Sequence, residues 1–168
     1  MEVTIQAPKT QSFTLNHQTL SALIPALPDN ADHQPFYSEL VTHPYAQVRT
    51  ALAGKETLTP EAIHQLAQDP SSPVLEQLLY NPSAQAELSV MELAGIFSRS
   101  SSAAEIAAYR LDAFQDPSTL SELLSNHPDP AVRLALVQNS SLSKAVRSKL
   151  VQDPDPLVAQ TAQEGINR

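Results

Sequence analysis

The chain has 168 residues, 18 of them Asp or Glu and 10 Lys or Arg, which gives a net charge of −8 at pH 7. Cysteine is absent, which excludes disulfides, thiolate metal sites and cysteine nucleophiles. Hydrophobic residues make up 42% and charged residues only 17%, so the chain can bury a core and is not a disordered chain of high charge. Its apolar stretches are too short to span a bilayer, and its first residues lack a secretory signal, so we expect a soluble cytoplasmic protein without membrane insertion.

The balance of proline and glycine indicates short helices. The chain has 14 Pro and only 3 Gly, whereas Gly is ordinarily the commoner of the two. Few glycines disfavour glycine-rich phosphate loops and hairpin-dense β folds. Many prolines suit short helices that begin with Pro, because the missing N–H would have no partner in that position.

Residues 1–16 are predicted to be extended. Apolar residues are spaced around Val3, Ile5, Phe13 and Leu15, and such alternation is typical of strands. We interpret this segment as an extended or hairpin cap on the helical part that follows.

An internal repeat begins at residue 17. The segment that starts at His43 matches the segment that starts at His127 without a gap, at an offset of 84 positions. Within each segment the motif returns after 26 residues, and the step from 69 to 101 is longer, which indicates an insertion near residues 94–100. The predicted repeat starts are His17, His43, Asp69, Ser101, His127 and Asp153.

Each repeat predicts two short helices. Apolar residues recur at the sixth and tenth positions and again at the twentieth and twenty-fourth, and residues four apart share one face of a helix. Leu52, Leu66, Leu136 and Leu150 are therefore predicted core residues. The sixth and tenth positions hold Ala22, Ala26, Val48, Leu52, Val74, Leu78, Ile106, Arg110 (with the apolar Leu111 adjacent), Val132, Leu136, Val158 and Ala162.

Capping residues mark the predicted helix ends. A polar residue followed by Pro predicts helix starts at Pro130, Pro156, Pro73 and Pro60. Asn81 and Asn139 share the thirteenth position, where Asn is expected to end a helix in the left-handed conformation. Capping-box spacing occurs at Ser89 and Glu92, at Ser102 and Glu105, and at Thr119 and Glu122.

These elements predict an all-α fold. A two-helix unit cannot bury its apolar stripe alone, whereas stacked units bury a continuous core. Residues 17–168 are therefore expected to form an α-solenoid of about five and a half repeats of 26 residues, with ten or eleven short helices, behind the extended cap.

The repeat motif resembles a known family. The residues from Asp129 to Arg133, then Asn139, then Asp153 to Val158 resemble the leucine-rich repeat variant family and, more broadly, HEAT-like helical repeats. The resemblance is close over residues 43–93 and 101–162 and weaker over 17–42, and it implies pairs of short helices in a right-handed superhelix. The family's Arg after the Val is present only as Arg49 and Arg133.

No sequence pattern predicts catalysis or a bound cofactor. His17, His43 and His127 share the first repeat position with Asp69 and Asp153, which favours a turn role over metal binding. Histidines one repeat apart are about 10 Å apart, too far to share a zinc ion. The chain has no nucleophile elbow, zincin motif or phosphate loop, so we expect no enzymatic activity, no metal and no cofactor.

Charge is distributed unevenly along the chain. Residues 1–95 carry a net charge of −7 and residues 96–168 a net charge of −1. The acidic part favours a basic protein partner and disfavours nucleic acid. Residues 131–152 contain no acid and form either a candidate partner-binding patch or an ordinary solvated surface. The cations of this patch are Arg133, Lys144, Arg147 and Lys149.

The insertion carries two further candidate binding residues. Phe97 and Arg99 are of types that are common at interfaces, and insertions in repeat proteins often lie on the binding face. Alternatively, Ile96 and Phe97 fill the core where two parts of the array join. We favour the buried junction.

The sequence leaves three functions open. The first is a non-catalytic protein–protein interaction module or adaptor on an acidic α-solenoid, and a bacterial immunity or neutralising protein for a basic partner is one form of it. The second is a HEAT-like nucleic-acid-binding or base-repair protein, which the acidity disfavours. The third is an enzyme, which no motif supports.

Overall fold

The structure is a computed structural model that describes residues 3–6 and 12–167. The chain divides into two compact units, unit 1 (Met1–Ala84) and unit 2 (Gln85–Arg168). The described residues are helical apart from one pair of short strands and the connecting segments, which confirms the all-α class. Two short 3-10 helices, Ala31–His33 and Leu111–Ala113, accompany the α-helices.

Two short strands precede the first helix. β1 (Val3–Gln6) pairs antiparallel with β2 (Ser12–Leu15), and Val3 lies opposite Leu15. The predicted extended cap is thus confirmed only as this small pair of strands. Residues 1, 2 and 7–11, which the same prediction covered, lie outside the described part of the chain.

In unit 1, the first helices of three successive predicted repeats lie side by side. The helices are α1 (His17–Ala26), α2 (Gln34–Leu40), α3 (Ala46–Ala53), α4 (Pro60–Leu66) and α5 (Ser72–Tyr80), and α6 (Pro82–Glu87) contains the division between the units. Helix α1 packs on α3, and α3 packs on α5. Helix α2 contacts α3, and α4 contacts both α3 and α5.

Unit 2 repeats this arrangement. Its helices are α7 (Val90–Arg99), α8 (Ser101–Tyr109), α9 (Pro117–Ser125), α10 (Pro130–Gln138), α11 (Lys144–Leu150) and α12 (Pro156–Ile166). Helix α8 packs on α10, and α10 packs on α12. Helix α7 contacts α8 and α9, and α11 packs on α12.

The predicted core is confirmed in the repeats that start at 43, 69, 127 and 153. All of their sixth and tenth residues are buried, because in each repeat these residues lie on the same face of a helix that begins three residues after the repeat start. Leu66 and Leu150 are buried as well. The buried sixth and tenth residues are Val48, Leu52, Val74, Leu78, Val132, Leu136, Val158 and Ala162.

The predicted stripe is wrong in the repeats that start at 17 and 101. Ala22, Ala26 and Arg110 are exposed, and Ile106 is only half-buried, although Leu111, the apolar residue predicted next to Arg110, is buried. The reason is local: α1 and α8 begin directly at the predicted repeat start, three residues earlier than the count requires, so a different face turns inward. Helix α1 buries Leu20 and Ile24, and α8 buries Ala103, Ala104, Ala107 and Ala108.

Most predicted helix starts are confirmed. Helices α4, α10 and α12 begin at Pro60, Pro130 and Pro156, each after a capping side chain. Helix α5 begins one residue before Pro73. The capping box of Ser89 and Glu92 is present at the start of α7. The other two predicted boxes lie inside α8 and α9, whose N-caps are Ser100 and Asp116.

Asn81 and Asn139 end helices, but their predicted left-handed backbone is wrong. Their φ angles are −80° and −69°, in the extended region. Each side chain instead donates hydrogen bonds to carbonyls at the end of a neighbouring first helix: Asn81 to Ala53 and Lys55, Asn139 to Ala108 and Tyr109. These buried amides satisfy carbonyls that a helix end would otherwise leave without a partner.

The insertion is helical rather than an exposed loop. Residues of the predicted insertion lie in α7, where Ile96 and Phe97 are buried at 0% and 4% exposure. The repeat that starts at 69 therefore contains three helices, α5 to α7, instead of two. This brings the α-helices of the described chain to twelve, more than the ten or eleven predicted.

Candidate functional site

Arg133, predicted to face a partner, forms a clamp inside unit 2. Its Nε and Nη2 atoms donate to the two carboxylate oxygens of Asp153 at 2.7 and 2.8 Å, and its Nη1 donates to the carbonyl of His127 at 2.7 Å. The residue is 8% exposed. A bidentate pair of this kind fixes the guanidinium firmly, so Arg133 joins the corner before α10 to the corner before α12 and is structural.

Unit 1 has the same clamp at the equivalent positions. Arg49 donates to both oxygens of Asp69 at 2.5 and 3.0 Å and to the carbonyl of His43 at 2.5 Å. The sequence carries a signal for these pairs that the motif alone did not show. Arg occupies the seventh repeat position only where the next predicted repeat starts with Asp.

Arg147 is also directed inward. Its Nη1 and Nη2 atoms donate to the carbonyls of Val137 at 2.6 Å and Asn139 at 2.9 Å, near the end of α10. The equivalent carbonyls of unit 1 belong to Ala53 and Lys55 and are bound by Asn81. In unit 2 the residue equivalent to Asn81 is Gly165, and the guanidinium takes the space that a side chain would fill: a Cβ at Gly165 would lie 2.3 Å from Arg147 Nη1.

The remaining cations of the predicted patch are at the surface. Lys149 is about half exposed, and its Nζ donates to Ser125 Oγ at 2.9 Å and to Glu122 at 3.2 Å. Lys144 is the first residue of α11 and is exposed. The four predicted cations therefore do not form one exposed basic patch, because the guanidinium groups of Arg133 and Arg147 bind groups inside unit 2.

The two insertion residues have different environments. Phe97 is buried in unit 2, while Arg99, the last residue of α7, is exposed. Phe97, Leu123 and the corner residue His127 line a groove of about 420 Å³ between α7, the start of α8 and the corner after α9. Ser98, Ser101 and Asn126 also line this groove.

The corner histidines act in turns. His43 Nδ1 accepts a hydrogen bond from the backbone N–H of Tyr45 at 3.3 Å, and His127 Nδ1 accepts one from Asp129 at 3.2 Å. Among the described residues, no three His, Asp or Glu side chains are grouped in a way that would hold a metal ion. His17, the third histidine at this repeat position, instead stacks on Tyr45 with ring centroids 3.9 Å apart.

The described surface of unit 1 carries carboxylates without exposed Lys or Arg. The two Lys or Arg residues in 12–84 are Arg49, held by Asp69, and Lys55, which is 5% exposed and donates to the carbonyl of Leu27 at 2.7 Å. Lys9 lies outside the described residues. We call the exposed carboxylates of unit 1 its acidic surface: Asp29, Asp32, Glu39, Glu56 and Glu61.

Comparisons with known proteins return no relative. No family model, curated protein or solved structure matches this chain. The resemblance to leucine-rich repeat variant proteins therefore stays a prediction. Among the described residues, the helices are too short or too polar for any to cross a membrane.

Proposed function

We propose that this chain is a non-catalytic protein-binding module, built on a helical repeat array, whose acidic surface binds a basic protein. One observation carries the proposal: within residues 12–84 the Arg and Lys side chains, Arg49 and Lys55, bond to groups of their own unit, while the carboxylates of the acidic surface are exposed. The exposed charges of unit 1 are thus more uniformly negative than its sequence alone indicates.

The physical consequence is a negative field. Lys55 offsets it in part at Asp29, whose Oδ2 lies 3.9 Å from Lys55 Nζ, but within residues 12–84 no exposed Lys or Arg offsets the other four carboxylates. Such a field accelerates the association of an oppositely charged partner and repels phosphate groups. The field therefore favours basic partners over acidic ones, and this preference requires no catalytic group. An immunity or neutralising protein for a basic partner is the narrower form of the same proposal.

Nucleic-acid binding is disfavoured by the same contacts. Binding to a phosphate backbone depends on exposed Lys and Arg. Arg49, Arg133 and Arg147 all bind groups within their own unit. The helical repeat that would suggest a nucleic-acid groove therefore lacks these guanidinium groups at its surface.

A titration with one cationic and one anionic ligand tests the proposal. A fluorescent decalysine peptide and a DNA duplex are titrated at low and at physiological salt, and fluorescence anisotropy is recorded. We expect binding of the peptide at low salt, which weakens as salt screens the field, and no binding of the duplex. Binding of the duplex without the peptide would contradict the proposal.

Matched variants locate the surface. Glu39→Gln/Glu56→Gln/Glu61→Gln in unit 1 changes the net charge by the same amount as Glu87→Gln/Glu122→Gln/Glu164→Gln in unit 2. We expect the first variant to weaken peptide binding more than the second, because unit 2 has exposed cations such as Lys144 and Lys149 that already offset its carboxylates. Equal losses would show that only net charge matters.

A further inference from the structure

The corner of unit 1 that is equivalent to the groove of unit 2 carries an aromatic side chain of the chain itself. Helices α1 and α8 begin at His17 and Ser101, which are 84 positions apart, as are the corner residues His43 and His127. In unit 1 the ring of Tyr45 stacks on His17 at 3.9 Å and lies 5.8 Å from the ring of His43. His43 is only 1% exposed. Tyr45 is itself 48% exposed, so its ring lies beside this corner at the surface and stacks on His17 there.

Unit 2 lacks both members of the aromatic pair. Ser101 stands in the place of His17, and Asp129 stands in the place of Tyr45. The side chain of Asp129 is committed to the N-terminus of α10, where it accepts from the N–H of Ala131 at 2.9 Å. His127 makes the same backbone bond as His43, but it is half-buried and lines the groove.

The groove suits an uncharged ring. Its lining residues carry no formal charge when His127 is neutral, and Phe97 and Leu123 provide apolar contact. Because His127 Nδ1 accepts the backbone bond, the proton of the neutral imidazole is on Nε2. Among the described residues that N–H has no bonding partner, so His127, which lines the groove, has a donor left for a ligand.

We propose that this groove binds an aromatic side chain of a protein partner, whose ring lies beside His127 as the ring of Tyr45 lies beside His43. The ring lies against Phe97 and Leu123, and an oxygen of the same partner segment accepts from His127 Nε2–H. A charged side chain is excluded because the groove offers no opposite charge to replace its water. The inference rests on the proposed function only in that the partner is a protein, since the groove lies in unit 2 and the acidic surface in unit 1.

An NMR titration with amino-acid amides tests the groove. The labelled full chain is titrated with N-acetyl-tyrosinamide and, separately, with N-acetyl-leucinamide. We expect saturable shifts at Leu123, Ser98 and the His127 ring with the tyrosine compound, and binding of the leucine compound that is roughly tenfold weaker. Equal binding of the two compounds, or no saturable shift with the tyrosine compound up to its solubility limit, overturns the proposal.

Variants that rebuild the aromatic pair provide the specificity control. Ser101→His/Asp129→Tyr places the residues of unit 1 in unit 2 and should abolish tyrosinamide binding. Ser101→His alone keeps the Asp129 cap and should also weaken it, which guards against a folding defect in the double variant. Ser148→His/Gln163→Tyr adds the same rings at exposed positions outside the groove and should leave binding unchanged. Loss of binding in this last variant as well would overturn the assignment to the groove.

The two proposals fail separately. Ser101→His/Asp129→Tyr should still bind decalysine, and Glu39→Gln/Glu56→Gln/Glu61→Gln should still bind N-acetyl-tyrosinamide. A groove that binds no aromatic amide in a chain that binds decalysine contradicts only the groove assignment. The reverse result contradicts only the role of the acidic surface.

Discussion

The side chain of Arg133 connects two successive predicted repeats. Its guanidinium has a fork of donors that matches a carboxylate and has a further N–H for a carbonyl, and it uses them on Asp153 and His127. Asp153 Oδ1 also accepts from the N–H of Asp155 at 2.9 Å, which orders the turn into α12. The pair is therefore a link between successive corners.

Removing the carboxylate of this clamp should destabilise the protein. In Asp153→Asn, the buried Arg133 keeps its charge but loses its anionic partner, and we expect a cost of about 3 kcal/mol in the free energy of unfolding. Asp69→Asn should cost a similar amount in unit 1. Glu122→Gln, which removes the half-exposed partner of Lys149, should cost less than about 1 kcal/mol. Urea unfolding measures all three, and equal costs for Asp153→Asn and Glu122→Gln would refute the structural role of the clamp.

The same carboxylate makes stability depend on pH. Hydrogen bonds from Arg133 hold the pKa of Asp153 below its ordinary value, although burial opposes them. In the unfolded chain the Asp153 carboxylate has the ordinary pKa of about 3.9. As the solution is acidified, this carboxylate therefore takes up a proton in the unfolded chain before it does so in the folded chain. The contribution of the pair is fully present above about pH 5 and is lost as the pH falls through the folded-state pKa.

We therefore expect the stability of the native chain to approach that of Asp153→Asn in acid. Urea unfolding of both proteins at neutral pH and at pH values through the acid range measures this difference. A difference in unfolding free energy that stays constant from neutral pH into the acid range would show that the ion pair does not govern it. The other carboxylates titrate in both proteins, so their effect cancels when the native chain is compared with Asp153→Asn.

At the scale of helices, the ends of the first helices depend on long-range side-chain bonds. Lys55, Asn81 and Asn139 share the thirteenth repeat position, and each donates to a carbonyl near the end of the preceding first helix of its unit. At the end of α10 the residue in this role is Arg147, because Gly165 has no side chain to offer. The chain thus meets one requirement with three chemically different residues.

Gly165→Ala and Gly95→Ala should have opposite effects. Alanine ordinarily favours a helix by up to about 1 kcal/mol over glycine. At Gly165 the new methyl group would displace Arg147 from two carbonyls, which costs about 1.5–3 kcal/mol, so we expect net destabilisation of about 1–2 kcal/mol. At Gly95 in α7 the nearest atom would be 3.9 Å away, an ordinary contact, so stability should rise. Thermal unfolding measures both, and a rise in both would contradict the role of Arg147.

Local signals predicted most of the helix boundaries, and long-range ones were missed. Pro130 and Pro156 mark helix starts because a cap and a Pro act within one turn. The phase of α1 was wrong because Asn16 caps the helix before the repeat count expects it. Arg147 was assigned to the surface because its partners lie ten and eight residues away, and a charged residue on a polar helix face is ordinarily solvated.

At the scale of the whole chain, the period of 84 residues coincides with the division into two compact units. The clamp, the corner histidine and the packing of three first helices occur in each unit at equivalent positions. What differs is the chemistry added to this shared frame. Unit 1 places Tyr45 beside its corner histidine and exposes carboxylates, whereas in unit 2 His127 lines a groove. The two proposed binding surfaces, the acidic surface of unit 1 and the groove of unit 2, lie where the two units differ.

Leu52 and Leu136 allow the two cores to be compared directly. They are equivalent residues, both fully buried, on α3 and α10. Leu136→Ala and Leu52→Ala should each cost about 2–5 kcal/mol, because each leaves a cavity in a packed core. Each unit packs its own first helices around its own leucine, so the loss of amide hydrogen-exchange protection should concentrate in the unit that carries the substitution. Leu136→Ala should thus speed exchange within 85–167 more than within 12–84, and Leu52→Ala should show the reverse. If either substitution speeds exchange equally in both units, the chain opens as one cooperative body and the two cores are not separate.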